Sequence, residues 1–236
     1  MMNLGGPATL DQVEPFLLRL FSDKELIPLP LQSTLAPFIA KRRVPQIKDQ
    51  YAQIGGGSPI TMWSNTQGKL MTELLDKLSP ETAPHKHYIA FRYTNPLTDE
   101  MLAAMAKDGV QQAIAFTQYP QYSCSTTGSS VNELVRKLKS AQGSAAAAKD
   151  IKWSVIDRWP THPGLVESFA DRIKQGLEKF GPPAVQKDVV VMFSAHSLPL
   201  SVVDRGDPYS AEVATTVYKG TGHRLFVSCL DFSFFL

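Results

Sequence analysis

The chain has 236 residues, 43% of them hydrophobic and 19% charged, with a formal net charge of +2 at neutral pH. That length spans one to two ordinary domains and buries a sizeable core; the composition excludes general disorder, and the near-balanced charge gives no electrostatic case for nucleic-acid binding. Cys124 and Cys229 are too few for a disulfide-stapled scaffold or a cysteine-only zinc site, and no apolar run approaches the ~20 residues of a membrane-spanning helix.

Residues 1–4 read as a strand ended by Gly5-Gly6-Pro7, with neither a secretory signal nor an arginine-rich transit segment before it. Val13, Phe16, Leu17, Leu20 and Phe21 recur at helical spacing. Pro28, Pro30 and Pro37 are expected to break the next stretch into short pieces, leaving a modest helix at 44–54. Gly55-Gly56-Gly57-Ser58-Pro59 is a loop whose Ser58 and Pro59 suit the N-cap and first turn of a helix over 60–78. Residues 87–93 read as a strand, 98–108 as a helix and 112–118 as a buried-type strand. Ser130 with Glu133 predicts a capping box, and 143–148 a small-residue linker. A strand at 152–157, a helix at 164–180, the most apolar strand at 188–194 and a helix at 209–219 complete the series, without repeats. Strands alternating with helices at this pitch predict an α/β fold with parallel sheets covered on both faces. Ligands of such sheets sit outside the carboxyl ends of the strands, so the informative loops are 5–9, 92–97, 118–127, 157–163 and 194–208.

His196 follows the strand expected at 188–194. A histidine there serves as base or metal ligand, or simply as a loop residue bonded to backbone. Arg92 ends the strand over 87–93, where a guanidinium grips a carboxylate through parallel hydrogen bonds or pairs with a neighbouring acid such as Asp99. Lys41-Arg42-Arg43 is a solvated helix end or a carboxylate- or headgroup-binding triplet. The apolar, proline-broken segment 16–39 reads first as a packed excursion, and alternatively as an exposed lip for a flat greasy ligand or a membrane surface. Gly55-Gly56-Gly57-Ser58 lacks the lysine of a P-loop, and Gly5-Gly6 lacks the dinucleotide fingerprint. Residues 117–130 are dense in hydroxyls, suited to turns or to lining a polar ligand, and Cys124 within them has no partner motif.

Together these stretches are specific. Asn3-Leu4-Gly5-Gly6-Pro7, Leu35-Ala36-Pro37-Phe38-Ile39-Ala40-Lys41-Arg42-Arg43, Tyr51 with Ile54-Gly55-Gly56-Gly57-Ser58-Pro59-Ile60, Phe91-Arg92-Tyr93, Gln118-Tyr119-Pro120-Gln121-Tyr122-Ser123-Cys124-Ser125-Thr126-Thr127-Gly128-Ser129-Ser130, Asp157-Arg158-Trp159-Pro160-Thr161-His162 and Ser194-Ala195-His196-Ser197-Leu198-Pro199 occur in order. From about residue 2 to about 219 the chain resembles the ferrochelatase family in its eukaryotic mitochondrial form, of fungal type. The resemblance implies a chelatase-type fold: two Rossmann-like domains with a porphyrin cleft between them. Here these are a first domain at 1–170, with a membrane-facing apolar lip at about 16–43, and an incomplete second at 171–219. It implies insertion of Fe²⁺, as substrate, into protoporphyrin IX to give protohaem. His196 would be the catalytic cleft histidine and a candidate Fe²⁺ ligand, with Arg92 and Tyr51 on the metal side. Arg43 and Ser58 would meet the porphyrin propionates, Leu4 would pack on the macrocycle, and Tyr119 would join the porphyrin-binding set. The implied setting is the matrix side of the mitochondrial inner membrane, attached peripherally, with a homodimer as one candidate assembly. Under this resemblance the segment 16–39 is the lip, which replaces the packed reading.

Cys124 falls at the position of one ligand of a family [2Fe–2S] cluster, which needs four; Cys229 alone cannot complete it. The tail 220–236 does not look like family sequence, and an acid facing the cleft histidine would lie beyond the matching stretch. The expectation is a chain shortened by an aberrant transcript, such as intron read-through, and lacking a presequence, with its strand at 188–194 uncovered, poorly soluble and with little or no chelation. The competing reading is a non-catalytic porphyrin-binding or dimer-interfering fragment.

Overall fold

The computed structural model describes residues 1–182 and 188–221. Contacts divide the chain into two units, residues 1–119 with 124–157, and residues 120–123 with 158–236.

In the first unit, β1 (Met2–Asn3) pairs in parallel with β2 (Ala90–Phe91), Met2 opposite Ala90. β3 (Gln112–Phe116) pairs in parallel with β4 (Lys152–Ile156), from Gln112 opposite Lys152 to Phe116 opposite Ile156. A single parallel bridge, Met2 to Thr117, joins the two pairs, and the Gln118 N–H donates to the Met2 carbonyl at 3.0 Å. The strand order is therefore β2-β1-β3-β4, with short parallel sheets flanked by helices as the alternating pattern predicts. The strand expected over 87–93 shrinks to two residues because its ladder partner β1 is itself two residues long.

Two hydrophobic cores hold this unit. α4 (Thr98–Lys107) and α5 (Ser129–Ser140) cover one sheet face, and Met2, Ala90, Met101, Leu102, Met105, Ala115, Leu134 and Ile151 interlock there. The expected linker at 143–148 is instead a 3₁₀ helix, Gly143–Asp150, whose Ala148 is buried in the same core. The buried-type reading of β3 holds on one face only: Ala115 is buried, but Ile114 points away from this core and is 60% exposed. The second core joins α1 (Val13–Ser22) to α2 (Gln32–Gln53) through Val13, Leu17, Phe21, Ala36 and Ala40.

Pro37 does not end a helix. α2 runs unbroken through Pro37 and Pro45. Gln32, Ala36, Ala40, Val44, Ile47 and Tyr51 recur every three or four residues and pack against α1, while both prolines lie on the exposed face. Burial of that stripe outweighs two missing backbone N–H bonds.

α3 (Ile60–Leu78) follows a loop in which Ser58 Oγ accepts only a local bond from the Ile60 N–H, at 3.3 Å; Pro59 occupies the N-cap position. The capping box at Ser130 does not form. α5 continues from a five-residue π turn, Cys124–Gly128, without a side-chain cap, and Glu133 turns to arginine partners instead.

In the second unit α6 (Pro163–Glu178) is capped by His162, whose Nδ1 accepts from the Gly164 N–H at 3.2 Å. α7 (Leu200–Val203) and α8 (Tyr209–Thr221) follow. Glu212 of α8 accepts from the Tyr122 N–H at 2.7 Å and pairs with Arg158 at 2.8 Å, so residues 120–123 are stitched to α8. The strand expected at 188–194 is absent: the described residues 188–194 have no ladder partner, and Val190 is 82% exposed. From residue 222 the tail lies outside the described residues, Cys229 with it.

Candidate functional site

The candidate site of the first unit gathers at the carboxyl ends of its strands. The chain leaving β1 is pinned from three sides. The Arg92 N–H donates to the Asn3 carbonyl at 3.0 Å and the Tyr93 N–H to the Leu4 carbonyl at 3.1 Å. The Leu4 N–H donates to the Tyr119 hydroxyl at 2.5 Å. The Ser58 N–H donates to the Pro7 carbonyl at 2.7 Å. Leu4, Ser58, Arg92 and Tyr119, four residues the sequence singled out, therefore meet around one backbone loop. The approach is close enough to exclude side chains: a Cβ on Gly57 would lie 2.0 Å from the Ala8 carbonyl oxygen.

Arg92 is the most tightly held of these. Its side chain is 7% exposed. Nη2 pairs with Asp23, Nη1 lies 3.0 Å from Glu133 Oε2, and Nε donates to Ser129 Oγ at 3.2 Å. The guanidinium also sits 5.3 Å from the Tyr93 ring centroid. The neighbouring acid weighed as its partner, Asp99, pairs instead with Lys137. Around it the Tyr93 hydroxyl donates to Asp23 at 2.8 Å, and Arg136 bridges Glu133 and Glu25 at 3.0 Å each. A surface pocket of about 410 Å³ opens over this cluster. Burial, then the Asp23 carboxylate, hold the Tyr93 phenol well above its usual range. Burial does the same to Tyr119 and raises Tyr51.

Tyr51 and Arg43 share α2. Arg43 is exposed, and Tyr51 is half-buried beside the second core while its carbonyl accepts from Gly56 at 2.8 Å. His196 belongs to the second unit, where it is exposed, and its Nδ1 lies 2.7 Å from the Ser197 carbonyl oxygen. That contact assigns the proton to Nδ1.

Cys124 is exposed at the start of its π turn. Among the described residues no three histidine, cysteine or acidic side chains gather to hold a metal ion. The described residues supply one cysteine, and a [2Fe–2S] cluster needs four ligands. Asp23 was not singled out by sequence, Glu133 was read only as a capping-box partner of Ser130, and Ser129 only as one of the hydroxyls of 117–130. Tyr93 was visible only as the neighbour of Arg92; Asp23 ends α1 and carries no local motif.

A model of the ferrochelatase family matches residues 1–231. Mitochondrial ferrochelatases of Xenopus laevis and Gallus gallus are 61% and 58% identical over 219 residues, covering 93% of this chain and 52% and 53% of their own lengths. That of Schizosaccharomyces pombe is 52% identical over 217 residues, covering 92% of this chain and 50% of its own length. The fungal leaning of the sequence reading is therefore not supported, since the vertebrate proteins match at higher identity. The chain spans about half the length of the curated relatives it matches.

Proposed function

We propose that this chain, which belongs to the ferrochelatase family, serves the insertion of Fe²⁺ into protoporphyrin IX, the reaction that releases two pyrrole protons and yields protohaem. The family match over residues 1–231 carries this reading. The residues supply a coherent division of labour. Exposed Arg43 is available to a propionate carboxylate, which a guanidinium grips through two parallel bonds. Ser58 shares that role. Leu4, its backbone fixed on both sides, offers an apolar side chain to the macrocycle, with Tyr119 beneath it. Tyr51 and Arg92 belong to the metal side. His196 accepts a pyrrole proton or guides Fe²⁺, a substrate here.

The same reading places the protein at the matrix side of the mitochondrial inner membrane, as a homodimer. Among the described residues no helix is long and apolar enough to cross a membrane. Leu31 and Phe38 are exposed along the same segment as Lys41, Arg42 and Arg43, which suits an anionic lipid surface.

The test is fluorescence titration of protoporphyrin IX into the purified chain, followed by Zn²⁺ as a surrogate metal. Saturable binding is expected, and Arg43→Ala should weaken it by about tenfold, the equivalent of roughly 1.4 kcal/mol. An absence of saturable binding, or an Arg43→Ala variant with unchanged affinity, would overturn the assignment.

A further inference from the structure

Arg92 does more than face a ligand. The α1–α2 hairpin and the sheet do not share a hydrophobic core: Val13, Leu17, Phe21, Ala36 and Ala40 form one cluster, and Met2, Ala90, Met101, Leu102 and Leu134 another. Hairpin and sheet meet instead through polar and aromatic contacts that converge on the loop after β2. Asp23, at the end of α1, meets both the Arg92 guanidinium and the Tyr93 hydroxyl. Arg19 Nη1 donates to the Tyr93 carbonyl at 3.2 Å and to Asn95 at 3.3 Å. The Phe16 ring meets the Tyr93 ring edge-on at 6.4 Å. From the other side, Glu133 of α5 holds Arg92 at 3.0 Å.

We propose that Asp23 and Glu133 are positioning residues that fasten the α1–α2 hairpin to the sheet through Arg92. One guanidinium is thus shared between a carboxylate on the hairpin and a carboxylate on the body. All three side chains are largely buried, with side-chain exposures of 7% for Arg92 and 12% for each acid. Removing Asp23 leaves the guanidinium to Glu133 alone and the hairpin without its buried anchor, so the loss falls on the joint and not on either core. Glu25 with Arg136 forms a second, exposed bridge across the same joint, worth less because solvent screens it. α2 carries Arg43 and Tyr51, so the fastening sets how both are presented to the porphyrin, a consequence that rests on the proposed ferrochelatase function.

The experiment is hydrogen exchange of the full chain, wild type against Asp23→Asn, Asp23→Glu and Arg136→Gln, with protoporphyrin IX titrations of each. Asp23→Asn should speed exchange across residues 13–53 by about tenfold, with α4 and α5 unchanged. Asp23→Glu, which keeps the charge, should restore most of the protection. Arg136→Gln is a surface change that folds safely, and should loosen the hairpin by about threefold. Protoporphyrin affinity should fall in the same order. Unchanged exchange in the hairpin, equal loosening of α4 and α5, or no rescue by Asp23→Glu would each overturn the fastening. A loosened hairpin with unaltered protoporphyrin affinity would overturn the positioning role. A wild type that binds no porphyrin while its variants still loosen supports the fastening and defeats the porphyrin reading alone.

Discussion

Gly5 stands where a side chain has no room. Its φ is +81°, and a Cβ there would lie 2.3 Å from Thr94 Oγ1 and 2.8 Å from Phe91 Cβ. Gly5→Ala must strain the backbone or push the β1 loop away from β2, and is expected to cost about 2–4 kcal/mol in urea unfolding. A variant with the wild-type midpoint would show that the loop is not pinned. At this scale the sequence was partly legible. Gly5-Gly6-Pro7 announced the end of a strand, and Arg92 announced itself by ending the next one. What stayed hidden is the company that Arg92 keeps. Asp23 and Glu133 are brought to it by tertiary packing: no neighbour in sequence marks Asp23, and the one that marks Glu133, Ser130, pointed to a helix cap and not to an arginine. His196 was legible as a loop histidine, and the structure gives it the backbone contact weighed as its plain alternative.

Among elements, α2 shows how packing overrides a local signal. Proline in a helix interior removes a hydrogen bond and crowds the preceding turn, costing about 3 kcal/mol. Pro37 and Pro45 invited a reading of broken pieces, yet the stripe from Gln32 to Tyr51 binds α1 along its length. Gln32 also ties the connection to itself, its amide donating to Ile27 at 3.0 Å and its carbonyl accepting from Leu29 at 2.9 Å. Because Pro45 is exposed and contributes nothing to either core, Pro45→Ala should stabilise the hairpin by about 1–3 kcal/mol. Slower amide exchange in the turns around residue 45 would register it; unchanged exchange would mean that the helix already bends to relieve the ring. The opposite error occurred at 188–194. An apolar run makes a strand only where a neighbour completes its ladder, and among the described residues none does.

At the scale of the whole first unit, alternation of strand and helix was enough to foresee a parallel sheet flanked by helices, because each period reports burial directly. It could not foresee that two cores would form, since separate cores differ in which segments meet, not in pattern. Buried phenols mark both the joint and the sheet. Tyr93 lies at the hairpin joint and Tyr119 under β1, and burial leads in raising the pKa of each above the ordinary phenol value near 10. Below about pH 10 both phenols are protonated, folded or unfolded, and they add no pH dependence. Above it the unfolded chain releases protons that the folded unit retains, so ionisation favours unfolding. Stability should fall with a slope of up to about 1.4 kcal/mol per pH unit for each phenol. Urea midpoints tracked from about pH 8 to about pH 11 should be level at first and then drop. Tyr119→Phe should lower the plateau, because the Leu4 N–H loses its acceptor, and also flatten the alkaline slope, because one titrating group is gone. A midpoint level throughout, or a slope that survives Tyr119→Phe intact, would show that these phenols are not held neutral by the fold.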